Sequence, residues 1–134
     1  MCFGTFDVLH LGHLSYFEQA KKYEDYLIVV IARDYTRQQQ KKETIFSEVE
    51  RQKLVQSLKV VDEAVLGNPD DHLKIIRERK PTVICLGYDQ NITETELAAK
   101  LAQDGLFPQI LRAKPYHLHQ QKSSRVKKLI LGCS

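Results

Sequence analysis

The sequence predicts an α/β domain built on a doubly wound parallel sheet of about five strands, with helices on both faces. Two observations carry this prediction. Residues 26–32 and 82–86 are short apolar runs rich in β-branched side chains, as strands buried on both faces require. Between such runs lie segments with apolar residues at helical spacing, and the two kinds of piece alternate along the chain.

The elements follow in order. Residues 1–3 make a short first strand. Residues 11–23 read as a helix that turns Leu14, Phe17 and Ala20 inward, and 26–32 form the second strand. The polar, basic stretch 35–44 is expected to be part helix and part loop. Ser47, with Glu50 three residues on, is a capping-box pattern that opens a helix over 48–58. Residues 64–66 form a strand, and Asp70 or Asp71 starts a helix that ends before Pro81. The strand 82–86 leads into a loop at 87–91. A helix over 93–103 stops at Asp104-Gly105, residues 108–111 make the last strand, and 123–131 the last helix.

Composition bounds the function classes. The 134 residues suffice for one domain, 1–134, and not for two cores. No run approaches the ~18 apolar residues of a membrane span, and the N-terminus lacks a secretory pattern. Cys2, Cys85 and Cys133 are odd in number and lack Cys-x-x-Cys spacing, so a cytoplasmic setting is expected and a cysteine metal site is not. Beyond Asp104 there is no acidic residue, while Arg112, Lys114, Lys122, Arg125, Lys127 and Lys128 are all cationic. Such an end can be a nucleic-acid patch, one wall of a polyphosphate site, or a solvated helix face. Only Tyr116 is interleaved with it as an aromatic, which argues against nucleic acid.

The string 3–13, FGTFDVLHLGH, carries the most chemistry. His10 and His13 fall on one face of a helix's first turn, where the dipole is positive and backbone N–H groups lack partners. Gly12 lets an anion approach the backbone, and two imidazoles there can donate to a phosphoryl group in transfer. In a parallel sheet the carboxyl ends of the strands share one rim, where ligands bind. The histidine string, Arg33-Asp34 and the loop 87–91 all follow strands and so meet on that rim.

Gly4-Thr5-Phe6-Asp7 with His10-x-Gly-His13 resembles the signature of the cytidylyltransferase-like nucleotidyltransferases, which share a Rossmann-like fold. The His-x-Gly-His element is similar to that of class I aminoacyl-tRNA synthetases too, but their tRNA-binding regions have no room here. The resemblance implies transfer of a nucleoside monophosphate from a triphosphate to a phosphorylated acceptor. It makes His10 and His13 catalytic, sets Thr5, Phe6 and Gly12 beside the nucleotide, and leaves Asp7 to hold the turn together.

The segment 41–51, KKETIFSEVER, resembles the family's lysine loop and following helix, which makes Lys41 and Lys42 phosphate ligands and gives Lys42 and Arg51 a catalytic part. Lys122-Ser123-Ser124-Arg125 is similar to the family's C-terminal hydroxyl signature, aimed at a β- or γ-phosphate. Leu86-Gly87-Tyr88-Asp89-Gln90 resembles most closely the archaeal-type FAD synthase branch. That resemblance implies nucleotide or flavin contacts from Gly87, Tyr88 and Asp89, while Asp34 contacts nucleotide or metal, or caps the next helix.

The glycerol-3-phosphate cytidylyltransferase branch has an arginine-threonine pair where this chain has residues 117–121, HLHQQ. The first expectation is therefore ATP and FMN as substrates, giving FAD, with a glycerol-3-phosphate or related cytidylyltransferase as the alternative. A nucleic-acid-binding module and a nucleotide sensor without turnover are the readings from other classes. Mg²⁺ is expected to arrive with the triphosphate, with no dedicated protein metal cage; His117-x-His119 alone does not make one. A homodimer, with no nucleic-acid or membrane partner, completes the expectation.

Overall fold

A computed structural model describes residues 1–40 and 42–116. The expected helix 123–131, Lys41, the 122–125 signature and Cys133 lie outside the described residues. Five parallel strands form one sheet in the order β3-β2-β1-β4-β5. In chain order the elements are β1 (Cys2–Gly4), α1 (Leu11–Lys21), β2 (Ile28–Ile31), α2 (Asp34–Gln39), α3 (Glu48–Gln56), β3 (Glu63–Leu66), α4 (Lys74–Arg79), β4 (Val83–Leu86), α5 (Glu94–Gln103) and β5 (Gln109–Arg112). This is the doubly wound α/β architecture the alternation predicts.

Side-chain alternation along the strands builds two cores. Val29 and Ile31 face Phe17 and Ala20 of α1 and Val55 of α3. Val30, between them, faces the opposite way toward Ile76 of α4 and Leu97 and Leu101 of α5. Helices therefore cover both faces. Ser47 forms the expected capping box with Glu50. The helix before Pro81 is only Lys74–Arg79, because Asn68 Oδ1 accepts from Asp70 N and Asp71 N and turns the preceding residues into an Asx loop.

β1 and β4 are paired at a single register position, Cys2 with Cys85. The chain leaves β1 for β2 on one side and returns to β4 on the other, so the sheet opens here. The backbone of Phe3 faces the opening and is served by side chains: its N–H donates to Tyr16 Oη at 3.2 Å, and Gln90 Nε2 donates to its carbonyl at 2.6 Å. Tyr16 Oη in turn donates to the Cys85 carbonyl. One helix side chain thus ties both strands at the point of divergence.

Candidate active site

A cleft of about 620 Å³ opens at that point and runs along the carboxyl ends of the strands. Thr5, Phe6, His10, Gly12 and His13 border it after β1, Arg33, Thr36, Arg37 and Lys42 after β2, and Gly67 and Asn68 after β3. Gly87, Tyr88 and Asp89 border it after β4. These loops border one continuous cleft.

The turn between β1 and α1 is held in an uncommon shape. Phe6 has φ 53°, a left-handed conformation that costs a non-glycine residue energy. Its ring folds back over Gly4, where an added Cβ would lie 2.6 Å from the ring, so position 4 needs glycine. Phe6 is buried and meets His13 edge to face, with centroids 5.4 Å apart. Its ring therefore packs against His13 while the residue still borders the cleft.

His10 is the N-cap of α1, and the two histidines cap the helix themselves. His10 Nδ1 accepts from Gly12 N at 3.0 Å, and His13 Nδ1 accepts from His10 N at 3.3 Å. The rings stack with centroids 4.0 Å apart. Burial lowers the His10 pKa, and burial together with the neighbouring His10 lowers that of His13 to about 3. Both imidazoles are neutral at pH 7. Since each Nδ1 accepts, the proton of each sits on Nε2. His10 Nε2 is buried without a hydrogen-bond partner among the described residues.

This geometry limits what the backbone at Gly12 can donate. Its N–H is engaged by His10, and those of His13 and Leu14 donate to the His10 carbonyl. The helix terminus thus offers imidazole N–H groups to an anion rather than these amides.

Asp7 is 2% exposed and reaches across to the lysine loop, accepting from Ile45 N at 2.7 Å and Phe46 N at 2.9 Å. Arg51 is fully buried, which overturns its expected contact with a phosphate. Its guanidinium donates to the carbonyls of Phe46, Thr5 and Ala32 and to Asp34, at 2.7–3.2 Å. Four of its five donors are thereby engaged, and the residue ties the ends of β1 and β2 to α3. Asp34 is engaged too. It pairs with Arg51 and accepts from Glu48 N at 3.1 Å, while Glu48 accepts from Asp34 N at 3.0 Å. Asp34 caps α3, not the helix it begins. Lys42 is exposed and borders the cleft.

On the far side, Gly87 is buried while Tyr88 and Asp89 are exposed at the loop tip. Arg112 braces that loop, donating to the carbonyls of Gly87, Gln90 and Ile92 at 2.7–2.9 Å and to Glu94. The basic C-terminal end therefore supplies at least one cation to the fold itself.

The family model described as cytidylyltransferase-like matches residues 1–128. The chain belongs to the cytidylyltransferase-like family. It is 45% identical over 131 residues to a FAD synthase of Thermoplasma acidophilum, covering 98% of this chain and 92% of that relative. It is 40% identical over 131 residues to a FAD synthase of Picrophilus torridus, covering 98% and 94%. The crystal structure of the lipopolysaccharide core biosynthesis protein from Thermoplasma volcanium GSS1 matches with a TM-score of 0.84 and 46% identity, over 87% of this chain and 95% of that one.

This cytidylyltransferase-like chain is a nucleotidyltransferase. Arg37, Asp7's partners in the lysine loop and the bracing role of Arg112 are not visible in the sequence. Lone arginines carry no local pattern, and Asp7 meets residues 38 and 39 positions away.

Proposed function

We propose that the chain is an FMN adenylyltransferase, joining the adenylyl group of ATP to FMN to give FAD and pyrophosphate. The observation that carries this is the capped histidine pair at the opening of the sheet, in a chain whose relatives over nearly its whole length are FAD synthases. An FMN phosphate oxygen attacks the α-phosphorus of ATP. The new P–O bond forms as the bond to the β-phosphate's bridging oxygen breaks and pyrophosphate leaves.

His10 and His13 donate from Nε2 to the phosphate oxygens as charge moves to the leaving group. Being neutral, they add donors without needing to lose or gain a proton at pH 7. Lys42 neutralises phosphate as a point charge, with Lys41 beside it in sequence. Thr5 borders the α-phosphate, Gly12 leaves room for it without lending its engaged N–H, and Gly87, Tyr88 and Asp89 receive the nucleoside. Ser123, Ser124, Lys122 and Arg125 are assigned to the leaving pyrophosphate on the family resemblance. Arg51 and Asp34 position the loops around these groups.

Among the described residues no group of three or more His, Cys, Asp or Glu is placed to hold a metal. Mg²⁺ would arrive on the triphosphate's own oxygens and waters and would neutralise phosphate charge. Dimerisation and a cytoplasmic location rest on the family resemblance and the cysteine usage.

A mass-spectrometric product assay tests the proposal. Purified protein with Mg²⁺ is offered ATP and CTP, each against FMN and glycerol 3-phosphate. FAD from ATP and FMN is the expected product. CDP-glycerol as the main product would move the same histidine chemistry to the glycerol-3-phosphate branch and defeat the flavin assignment.

A further inference from the structure

Among the described residues, the guanidinium groups around the cleft divide into those bonded to backbone carbonyls and carboxylates and Arg37, which is bonded to a side-chain amide. Arg33 donates to the Gly67 carbonyl at 2.8 Å and to Glu48 at 2.9 Å. Arg51 and Arg112 are engaged as described above. Arg37, on α2, borders both the main cleft and a smaller one beside the lysine loop. One of its Nη groups donates to Gln40 Oε1 at 3.0 Å, and its buried Nε has no partner among the described residues. Burial and the nearby Arg51 both act against its charge, while Asp7 favours it. The Asp7 carboxylate already serves two backbone N–H groups. An anion beside Arg37 would meet a desolvated donor that still lacks an acceptor.

Topology decides which anion. β2 and α2 lie on one side of β1, and β4 with the loop assigned to the nucleoside lies on the other. In-line displacement sets the attacking and leaving oxygens on opposite sides of the α-phosphorus. With the nucleoside on the β4 side, the β2 side of the cleft, where Arg37 stands, is left for the attacking phosphate. Farther along the cleft, beyond β3, Leu73 and Ile76 provide an apolar wall and Asn68 and His72 a polar edge. A flat ring with polar margins suits that end.

We propose that Arg37 binds the acceptor's phosphate, which under the adenylyl-transfer reading on which this rests is the phosphate of FMN. A planar guanidinium can take two phosphate oxygens at once and so fix the attacking oxygen as well as bind it.

The experiment compares the unmodified chain with Arg37→Gln and Arg37→Lys, each checked for folding by circular dichroism. FMN and ATP are varied separately in FAD formation. FMN and riboflavin, which lacks the phosphate, are titrated without ATP by flavin fluorescence quenching. The KM for FMN in Arg37→Gln should rise at least about tenfold, the loss expected for one charge-assisted hydrogen bond. The KM for ATP should stay within about twofold, the preference for FMN over riboflavin should collapse, and Arg37→Lys should recover part of it. An unchanged FMN preference in Arg37→Gln, or an equal rise in both KM values, would overturn the assignment. If Arg37→Gln does not fold, Arg37→Lys alone decides by the same comparison. Failure of the unmodified chain to form FAD removes the adenylyl-transfer reading and this one with it. FAD formation with an indifferent Arg37 removes only this one.

Discussion

Burial beside His10 holds His13 at about 3, well below the ordinary histidine value of 6.5. Between those two values the unfolded chain binds a proton that the folded His13 does not, so acid favours unfolding. His10, lowered by burial, acts in the same direction. The stabilising contribution is complete above the ordinary value and is lost as pH falls toward about 3. Thermal unfolding followed at about pH 7 and about pH 5 should show a lower midpoint at the acid value, and His13→Gln should reduce that difference. An equal acid shift in both proteins would mean that His13 is not the group responsible. At this scale the motif was legible but its geometry was not. His-x-Gly-His reads as a phosphate-binding helix start; that the two rings cap each other's turn, with Phe6 against His13, depends on a left-handed Phe6 that no residue pattern announces.

Among the elements, α3 shows how a site can be held from beneath. Its capping box is local and was readable from Ser47 and Glu50, yet its Arg51 carries a role opposite to the one read from the same segment. A solvent-facing arginine and one pointing into the sheet look alike in sequence; here burial is decided by carbonyls at the ends of β1 and β2. Replacing Arg51 with Met leaves those carbonyls and Asp34 without their donor. The cost should be about 3–5 kcal/mol of stability, read from the urea midpoint. Unchanged stability with only a raised KM for ATP would instead return Arg51 to the phosphates. The strands β2 and β4 were legible because β-branched runs buried on both sides have few other uses. Helix α4 was overextended in the reading because Asn68 and Asp71 turn the chain before it can wind.

Taken whole, the molecule places its cleft, and with it the proposed chemistry, where the sheet divides. The alternation of elements was enough to predict a parallel sheet with ligands on one rim. Strand order was needed to see that β1 and β4 part at Cys2 and Cys85, which divides the rim into a β2 side and a β4 side. The cations show the same limit. Charge counting finds a basic C-terminal end, but only the fold reveals that Arg112 braces a loop while Arg37 faces the cleft.

The central claim is that the histidine pair at this division drives adenylyl transfer to FMN. Its most direct test is the rate of FAD formation at saturating ATP and FMN in His10→Ala and His13→Ala, each confirmed as folded. Loss of one such donor should lower kcat by roughly 10²–10³, with flavin binding retained. A rate within about threefold of the unmodified chain for both variants would contradict the account, since a donor stabilising developing charge cannot be removed at so little cost.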